Sequence, residues 1–161
     1  MRVEIPNEIV IKKASINEAD IVAGLVIELL EEFNNVNAGN FKVNRIEIIE
    51  VTKQLIERIN YAAFIAWKDD EAIGIITISP AVAIYNGGDF MVITEFFVEN
   101  EERSFGIGEK LLNAAIDFAK ETGVKKIEVG APMKDQWKRT FGFYIKNGFK
   151  EKGPKLRLEL Y

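Results

Sequence analysis

Apolar residues recur along the chain in two rhythms, helical and alternating, and the switches between them delimit the elements. Ile9 to Ala14 reads as a strand. Ser15-Ile-Asn-Glu18 has capping-box spacing, and Ile21, Val22, Leu25, Val26, Leu29, Leu30 and Phe33 follow it at helical spacing. Asn34, Asn35 and Gly39 end that helix. Asn44 with Glu47 offers a second N-cap, opening an amphipathic helix to about Ile59. Two β-rich runs follow, Tyr61 to Trp67 and Ala72 to Ser79, and the turn-like Lys68-Asp-Asp-Glu71 between them predicts a hairpin. Pro80 to Asp89, with Gly87-Gly88, reads as a loop, and Phe90 to Val98 as the next strand.

The C-terminal half changes rhythm. Gly106 to Lys120 predicts a helix with Ile107, Leu111, Leu112, Ala115, Phe118 and Ala119 on one side, and Gly123 stands where a C′ glycine belongs. Val124 to Val129 reads as a strand, and Gln136 to Asn147 as a short helix stopped by Gly148. Phe149 to Lys152 and Lys155 to Leu160 are β-like, separated by Gly153-Pro154. Hairpins combined with strand–helix–strand crossovers predict a mixed sheet carrying helices, an α/β class of α+β type.

Composition narrows the chemistry. A chain of 161 residues, 48% apolar and 29% charged, is expected to form a single globular domain over residues 1–161. A net charge of −4 gives no reason to expect a nucleic-acid partner. The apolar segment Ile21 to Leu30 is too short to span a bilayer, and no signal peptide is read at the start, so no membrane partner and a cytoplasmic location are expected. The chain has no Cys and no His. That excludes a thiolate nucleophile, a Ser-His-Asp triad and the common zinc motifs, and no metal is expected. Acid–base chemistry is left to Glu, Asp, Lys, Tyr, a terminus or water.

The segment with most chemical content is Glu99-Asn-Glu-Glu-Arg103-Ser-Phe-Gly106-Ile-Gly108, between a predicted strand and a predicted helix. A helix N-terminus leaves backbone N–H groups unpaired and attracts anions. Glycines let a phosphate approach the backbone, and Arg103 can add a charged contact. A bare turn with a solvated arginine is the alternative. No Walker A string is present, and Leu111 stands where a dinucleotide fingerprint requires its third glycine.

Arg103-x-x-Gly106-x-Gly108 matches the [QR]-x-x-G-x-[GA] loop of the GNAT superfamily of acetyl-CoA-dependent N-acetyltransferases. The preceding Ile93-Thr-Glu-Phe-Phe-Val98 is similar to that superfamily's strand, and Phe143-Tyr144-Ile-Lys-Asn-Gly148-Phe149 resembles its F-Y-x-x-x-G-F element. Lys12 to Asp20 resembles its opening segment and Ile73-Gly-Ile75 its middle hairpin. Glu128 to Pro132, Trp137, Arg139-Thr140 and Gly153 to Leu156 look like a bacterial and archaeal branch of the same superfamily.

The resemblance implies a GNAT-like acyl-CoA N-acyltransferase fold, a central, mostly antiparallel mixed sheet flanked by about four helices. It implies that backbone N–H groups of Ser104, Phe105, Gly106, Ile107 and Gly108 bind the pyrophosphate of acetyl-CoA, supported by Arg103. Phe97 and Val98 would lie along the pantetheine, with the Val98 N–H on the thioester carbonyl. Tyr144 would protonate the departing thiolate. Glu95 is the candidate general base; the alternatives are that it points to the other face, or only attracts a cationic substrate. Trp137 stands where many members carry an Asn that contacts the cofactor.

The implied reaction is acetyl transfer to a primary amine of a small molecule or peptide by direct attack in a ternary complex. Glu31, Glu32 and Asp89 are candidate attractors for that amine. The alternative is a non-catalytic acyl-CoA-binding or regulatory module on the same fold, and a homodimer is left open.

Overall fold

The alternating runs pair into one five-stranded sheet of order β1-β2-β3-β4-β5. A computed structural model describes residues 8–37, 39–130, 138–153 and 155–160. The strands are β1 (Ile9–Lys13), β2 (Ala62–Lys68), β3 (Glu71–Ala83), β4 (Gly88–Val98) and β5 (Ile127–Val129). The helices are α1 (Ala19–Asn35), α2 (Arg45–Ile56), α3 (Ile107–Glu121) and α4 (Lys138–Lys146). The first three strand pairings are antiparallel and β4–β5 is parallel. The mostly antiparallel mixed sheet with four helices is as the sequence predicts.

The chain divides into two compact units, residues 1–129 and 130–161. In the first, α1 packs on one face of the sheet through Val22 and Leu25 against Ala63, Ile65, Ile75 and Phe97. On the other face, a Cβ built on Gly74 would stand 3.1 Å from the Leu111 Cδ1 of α3. Gly74 therefore sets how closely α3 approaches the sheet. Local signals fix the helix ends. The Ser15 N–H donates to Glu18 Oε1 at 3.0 Å, and Asn44 Oδ1 accepts from the Glu47 N–H at 3.2 Å. Gly123 carries φ +85° after α3, as a C′ residue should. No helix among the described residues is long and apolar enough to cross a membrane.

Three expectations need correction. Pro80 to Asp89 is not a loop: β3 continues to Ala83, a 3-10 turn covers Ile84–Asn86, and β4 already begins at Gly88. Pro80 is tolerated because of the register. It faces Met91, whose N–H is turned the other way, to the Lys126 carbonyl. Pro80's nitrogen thus points away from β4, past Ile78 where β2 ends.

Second, α2 stops at Ile56 rather than near Ile59, which is exposed. Third, Phe149 to Lys152 and Lys155 to Leu160 form no strand among the described residues. Leu156, Leu158 and Leu160 all face solvent. Alternation yields a strand only where a neighbour completes the ladder. Gln136 and Trp137 lie outside the described residues.

Candidate active site

The centre of the site is an irregularity in β4. Thr77 faces Glu95 while Ile78 faces Ile93, so Thr94 is an extra residue, a β-bulge. The bulge reverses which backbone groups face which neighbour. Before it, the Met91 N–H faces the β5 side. After it, the Glu99 N–H donates to the Ile73 carbonyl at 2.8 Å, back toward β3. By strand alternation, Val98 turns its N–H and C=O to the outer edge. The carbonyl accepts from Arg103 Nε at 2.8 Å, which confirms that direction. Parallel pairing to β5 ends at Ile93–Val129, so among the described residues no strand covers the outer edge from Thr94 to Val98. Phe97, by contrast, turns its backbone toward β3 and its ring into the core.

The loop after β4 is pinned from two sides. Lys68 Nζ meets Glu102 Oε1 at 3.0 Å. Arg103 donates from Nη1 and Nη2 to the two carboxylate oxygens of Glu32 in α1, at 3.0 and 2.6 Å, while the Phe97 ring lies under its guanidinium. The arginine expected to face phosphate is thus committed to Glu32 and Val98, and Glu32 is not a free attractor for an amine. Ser104 and Gly106 both sit at positive φ, +76° and +79°. Gly106 is the N-cap of α3, and the first intrahelical bond runs from the Lys110 N–H to its carbonyl. Gly106 has no side chain to cap the first turn, and Phe105 and Gly106 are exposed. Ile107 is buried under the helix and Gly108 is half-buried in its first turn. The loop therefore leads into a helix N-terminus at the exposed Gly106.

Glu95 is half-buried on the bulge and is held by hydroxyls. Thr77 Oγ1 and Thr94 Oγ1 both lie within hydrogen-bond reach of its Oε2, and the Glu95 N–H donates to Thr77 Oγ1 at 2.9 Å. Behind Thr77 is Tyr61, whose phenol is pushed up to about 12, chiefly by burial and then by the charge of Glu95, with a Thr77 hydrogen bond opposing. The sequence carries a trace of this cluster. Thr77 interrupts the apolar run Ile75-Ile76-Thr77-Ile78, and a buried hydroxyl requires partners.

In the second unit, Tyr144 is buried, and burial raises its phenol well above the ordinary tyrosine range. Its position follows from a helix cap. The Phe149 N–H donates to the Tyr144 carbonyl at 3.0 Å and the Gly148 N–H to the Ile145 carbonyl at 3.1 Å, a Schellman motif. Gly148 has φ +94°. The accompanying apolar contact is the Tyr144–Phe149 ring pair, 5.4 Å between centroids. The string Tyr144-x-x-x-Gly148-Phe149 is thus a C-cap that holds its tyrosine.

A cleft of about 550 Å³ lies along α1 toward the start of α2, with Asp20, Glu28, Glu31 and Arg45 among its lining. The Glu28 carboxyl is pushed up to about 7, first by burial, then by a hydrogen bond to the Glu99 carboxyl and the charges of Glu99 and Glu31. Sequence reasoning missed this pair, because 71 residues separate its members. Beyond the end of α1, the Asn34 side chain bonds both the N–H and the carbonyl of Phe41 at 2.8 and 2.9 Å.

Comparison with known proteins places this arrangement. The acetyltransferase (GNAT) family model matches residues 27–149. Among solved structures, the aminoglycoside N-acetyltransferase AAC(6')-Iy in complex with CoA superposes with TM-score 0.80 at 17% identity, covering 98% of each chain. An aminoglycoside acetyltransferase from an uncultured soil metagenomic sample, in complex with trehalose, gives 0.76 at 23% identity over 98% of this chain and 100% of that one. A predicted acetyltransferase from Clostridium acetobutylicum, with acetyl-CoA, gives 0.75 at 19% over 95% and 97%. At these identities the likeness is one of fold.

Proposed function

Since the chain belongs to the acetyltransferase (GNAT) family, we propose that it transfers acetyl from acetyl-CoA to a primary amine by direct attack in a ternary complex. The observation that carries this reading is the outward-facing N–H of Val98 on an uncovered strand edge just beyond the Thr94 bulge. A fixed donor there meets the thioester oxygen as its charge develops, and a single such donor is worth about 2.7–4 kcal/mol in comparable sites. The N-terminal turn of α3, with Ser104 to Gly108, takes the pyrophosphate. Arg103 serves this site through shape, clamping the loop between Glu32 and Val98.

Glu95 takes a proton from the substrate ammonium, and the freed nitrogen lone pair attacks the thioester carbon. The C–S bond then breaks with its electron pair leaving on sulfur, and Tyr144 supplies the proton that sulfur takes up. The second proton, lost by the attacking nitrogen as it becomes an amide, returns the tyrosinate to a phenol by way of solvent. Burial keeps the Tyr144 phenol neutral until that moment. We read the chain as one catalytic domain, because the family match runs across the boundary between its two units. The cytoplasmic location inferred from the sequence belongs to this reading. The acidic lining of the α1 cleft favours a cationic acceptor, and aminoglycosides are the first class to try, since two of the similar structures are named as acetyltransferases of them.

Two measurements test the reading. Calorimetric titration with CoA should give binding, and its absence at millimolar CoA overturns the proposal. Thiol release from acetyl-CoA is then followed with sisomicin, spermidine, lysine and a dipeptide as acceptors. Turnover above background with at least one is expected. CoA binding without turnover on any of them replaces the transferase with a non-catalytic acyl-CoA-binding module.

A further inference from the structure

The cluster around Glu95 contains more than a base needs. Thr77 Oγ1, Thr94 Oγ1 and Glu95 Oε2 form a triangle, with the two hydroxyl oxygens 2.7 Å apart and Thr94 Oγ1 2.5 Å from Oε2. Each hydroxyl has one proton, and an ionised carboxylate only accepts. Whichever hydroxyl donates across the Thr77–Thr94 contact, the other is left to donate to Oε2, the acceptor-only oxygen. Thr77 is fixed in its turn. It is 1% exposed, accepts the Glu95 N–H and has a hydrogen bond with the buried Tyr61. Among the described residues, no hydrogen bond reaches Glu95 Oε1.

Resting on the transferase reading, we propose that Thr77 and Thr94 are positioning residues for the base, holding Glu95 by Oε2 so that Oε1 is left as the oxygen that takes the amine's proton. A glutamate has three side-chain torsions, and a free one on an uncovered strand edge would sample many positions. Two hydroxyls, one on the bulged residue itself and one across the ladder, tie the carboxylate to the backbone irregularity that also aims the Val98 N–H. Base and oxyanion donor are thereby set by the same bulge. Tyr61, which interacts with both Thr77 and the Glu95 charge, closes the cluster from the core side.

Kinetics of thiol release, with whichever of sisomicin, spermidine, lysine and the dipeptide is turned over fastest, decide the matter. Thr77→Val and Thr94→Val should each lower kcat about tenfold or more, while CoA affinity by titration stays within about twofold. Thr77→Ser, which keeps the hydroxyl, should recover to within about threefold of wild type. In a Glu95→Gln background, Thr77→Val should cost little more, because its effect passes through that carboxylate. Thr77→Val also strips the Glu95 N–H of its acceptor; if that variant fails to fold, Thr94→Val and its double with Glu95→Gln carry the test alone. Loss of kcat in Glu95→Gln with retention in the folded threonine variants overturns the clamp and leaves the base standing, as does full additivity in the double variant. Unchanged kcat in Glu95→Gln overturns the base itself, and no turnover with any acceptor removes the transferase reading along with it.

Discussion

Arg103 in the loop before α3 donates to both carboxylate oxygens of Glu32 in α1, at 3.0 and 2.6 Å, across 71 residues of sequence. The pair is roughly three-tenths exposed at each partner, so it is neither a solvated surface contact nor a fully desolvated one. Because Arg103 Nε also bonds the Val98 carbonyl, the pair connects a helix, the loop before α3 and the strand end that carries the proposed oxyanion donor.

Glu32→Ala should therefore weaken CoA binding, although Glu32 is acidic and would by charge alone repel the cofactor. Losing hydrogen bonds to a charged group costs about 1.5–3 kcal/mol. A fall in melting temperature of several degrees is expected for a chain of this length, roughly 2–4 °C per kcal/mol. Titration calorimetry with CoA beside a thermal melt checks both. Tighter CoA binding in Glu32→Ala would mean that Arg103 is released to the phosphates and that the clamp is inhibitory.

Gly106→Ala tests the loop's backbone. Space is not the constraint, since a Cβ there would meet nothing within 4 Å. The constraint is φ +79°, where a side chain costs about 1–2 kcal/mol. Relief of that strain would rotate the N–H groups at the start of α3, so CoA affinity should drop by more than stability does. Gly142, inside α4 with equally open space and an unremarkable φ, supplies the control: Gly142→Ala should leave CoA affinity unchanged.

Tyr144→Phe removes one oxygen from a buried ring whose cap contact with Phe149 stays intact. General-acid roles are worth about 10²–10⁴ in rate, so kcat should fall by at least about tenfold with the Kd for CoA unchanged. Because burial raises the phenol, the wild-type pH–rate profile should show no loss from tyrosine ionisation up to about pH 10, the ordinary tyrosine value. Unchanged kcat in Tyr144→Phe would reduce the residue to a packed aromatic.

The Glu28–Glu99 pair predicts a pH dependence of stability. The folded Glu28 carboxyl sits at about 7 against an ordinary 4.5, so between those values the native state binds more protons than the unfolded one. Stability then decreases as pH rises through that window, and the decrease is complete above about 7. Glu28 is desolvated only in part and its residue remains exposed, so the effect is small. Melting temperature should be higher at about pH 5 than at about pH 8 from this pair, and Glu28→Gln, which can donate without titrating, should flatten the difference. An unaltered pH dependence in the variant would show that the two carboxyls do not share a proton.

Much of this protein was legible in one dimension because its causes are local. Ser15 with Glu18, Asn44 with Glu47, and Gly123 and Gly148 after their helices act over three to five residues, and such signals are readable without knowing the rest of the chain. The same holds for the Arg103-x-x-Gly106-x-Gly108 loop, whose strand-before and helix-after follow from periodicity alone. Where local pattern misled, a partner was missing or unseen. The alternation of Lys155 to Leu160 has no neighbouring ladder among the described residues, and β3 runs through Pro80 because the facing register leaves its nitrogen at an open edge.

By itself, then, the sequence determined the elements, their caps, the exclusion of thiol and imidazole chemistry, and the residue types from which an acetyl-transfer site can be built. The tertiary structure alone decided what those residues do to one another. Register against β3 makes Thr94 a bulge, turns the Val98 N–H outward and sets Glu95 between two hydroxyls. Contact between α1 and the loop commits Arg103 to Glu32. The physical reason is one of range. Helix capping and side-chain periodicity are energies of near neighbours in the chain, whereas strand register, bulges and charge partners are set by which distant segments pack together, and no window of sequence contains both halves of such an interaction.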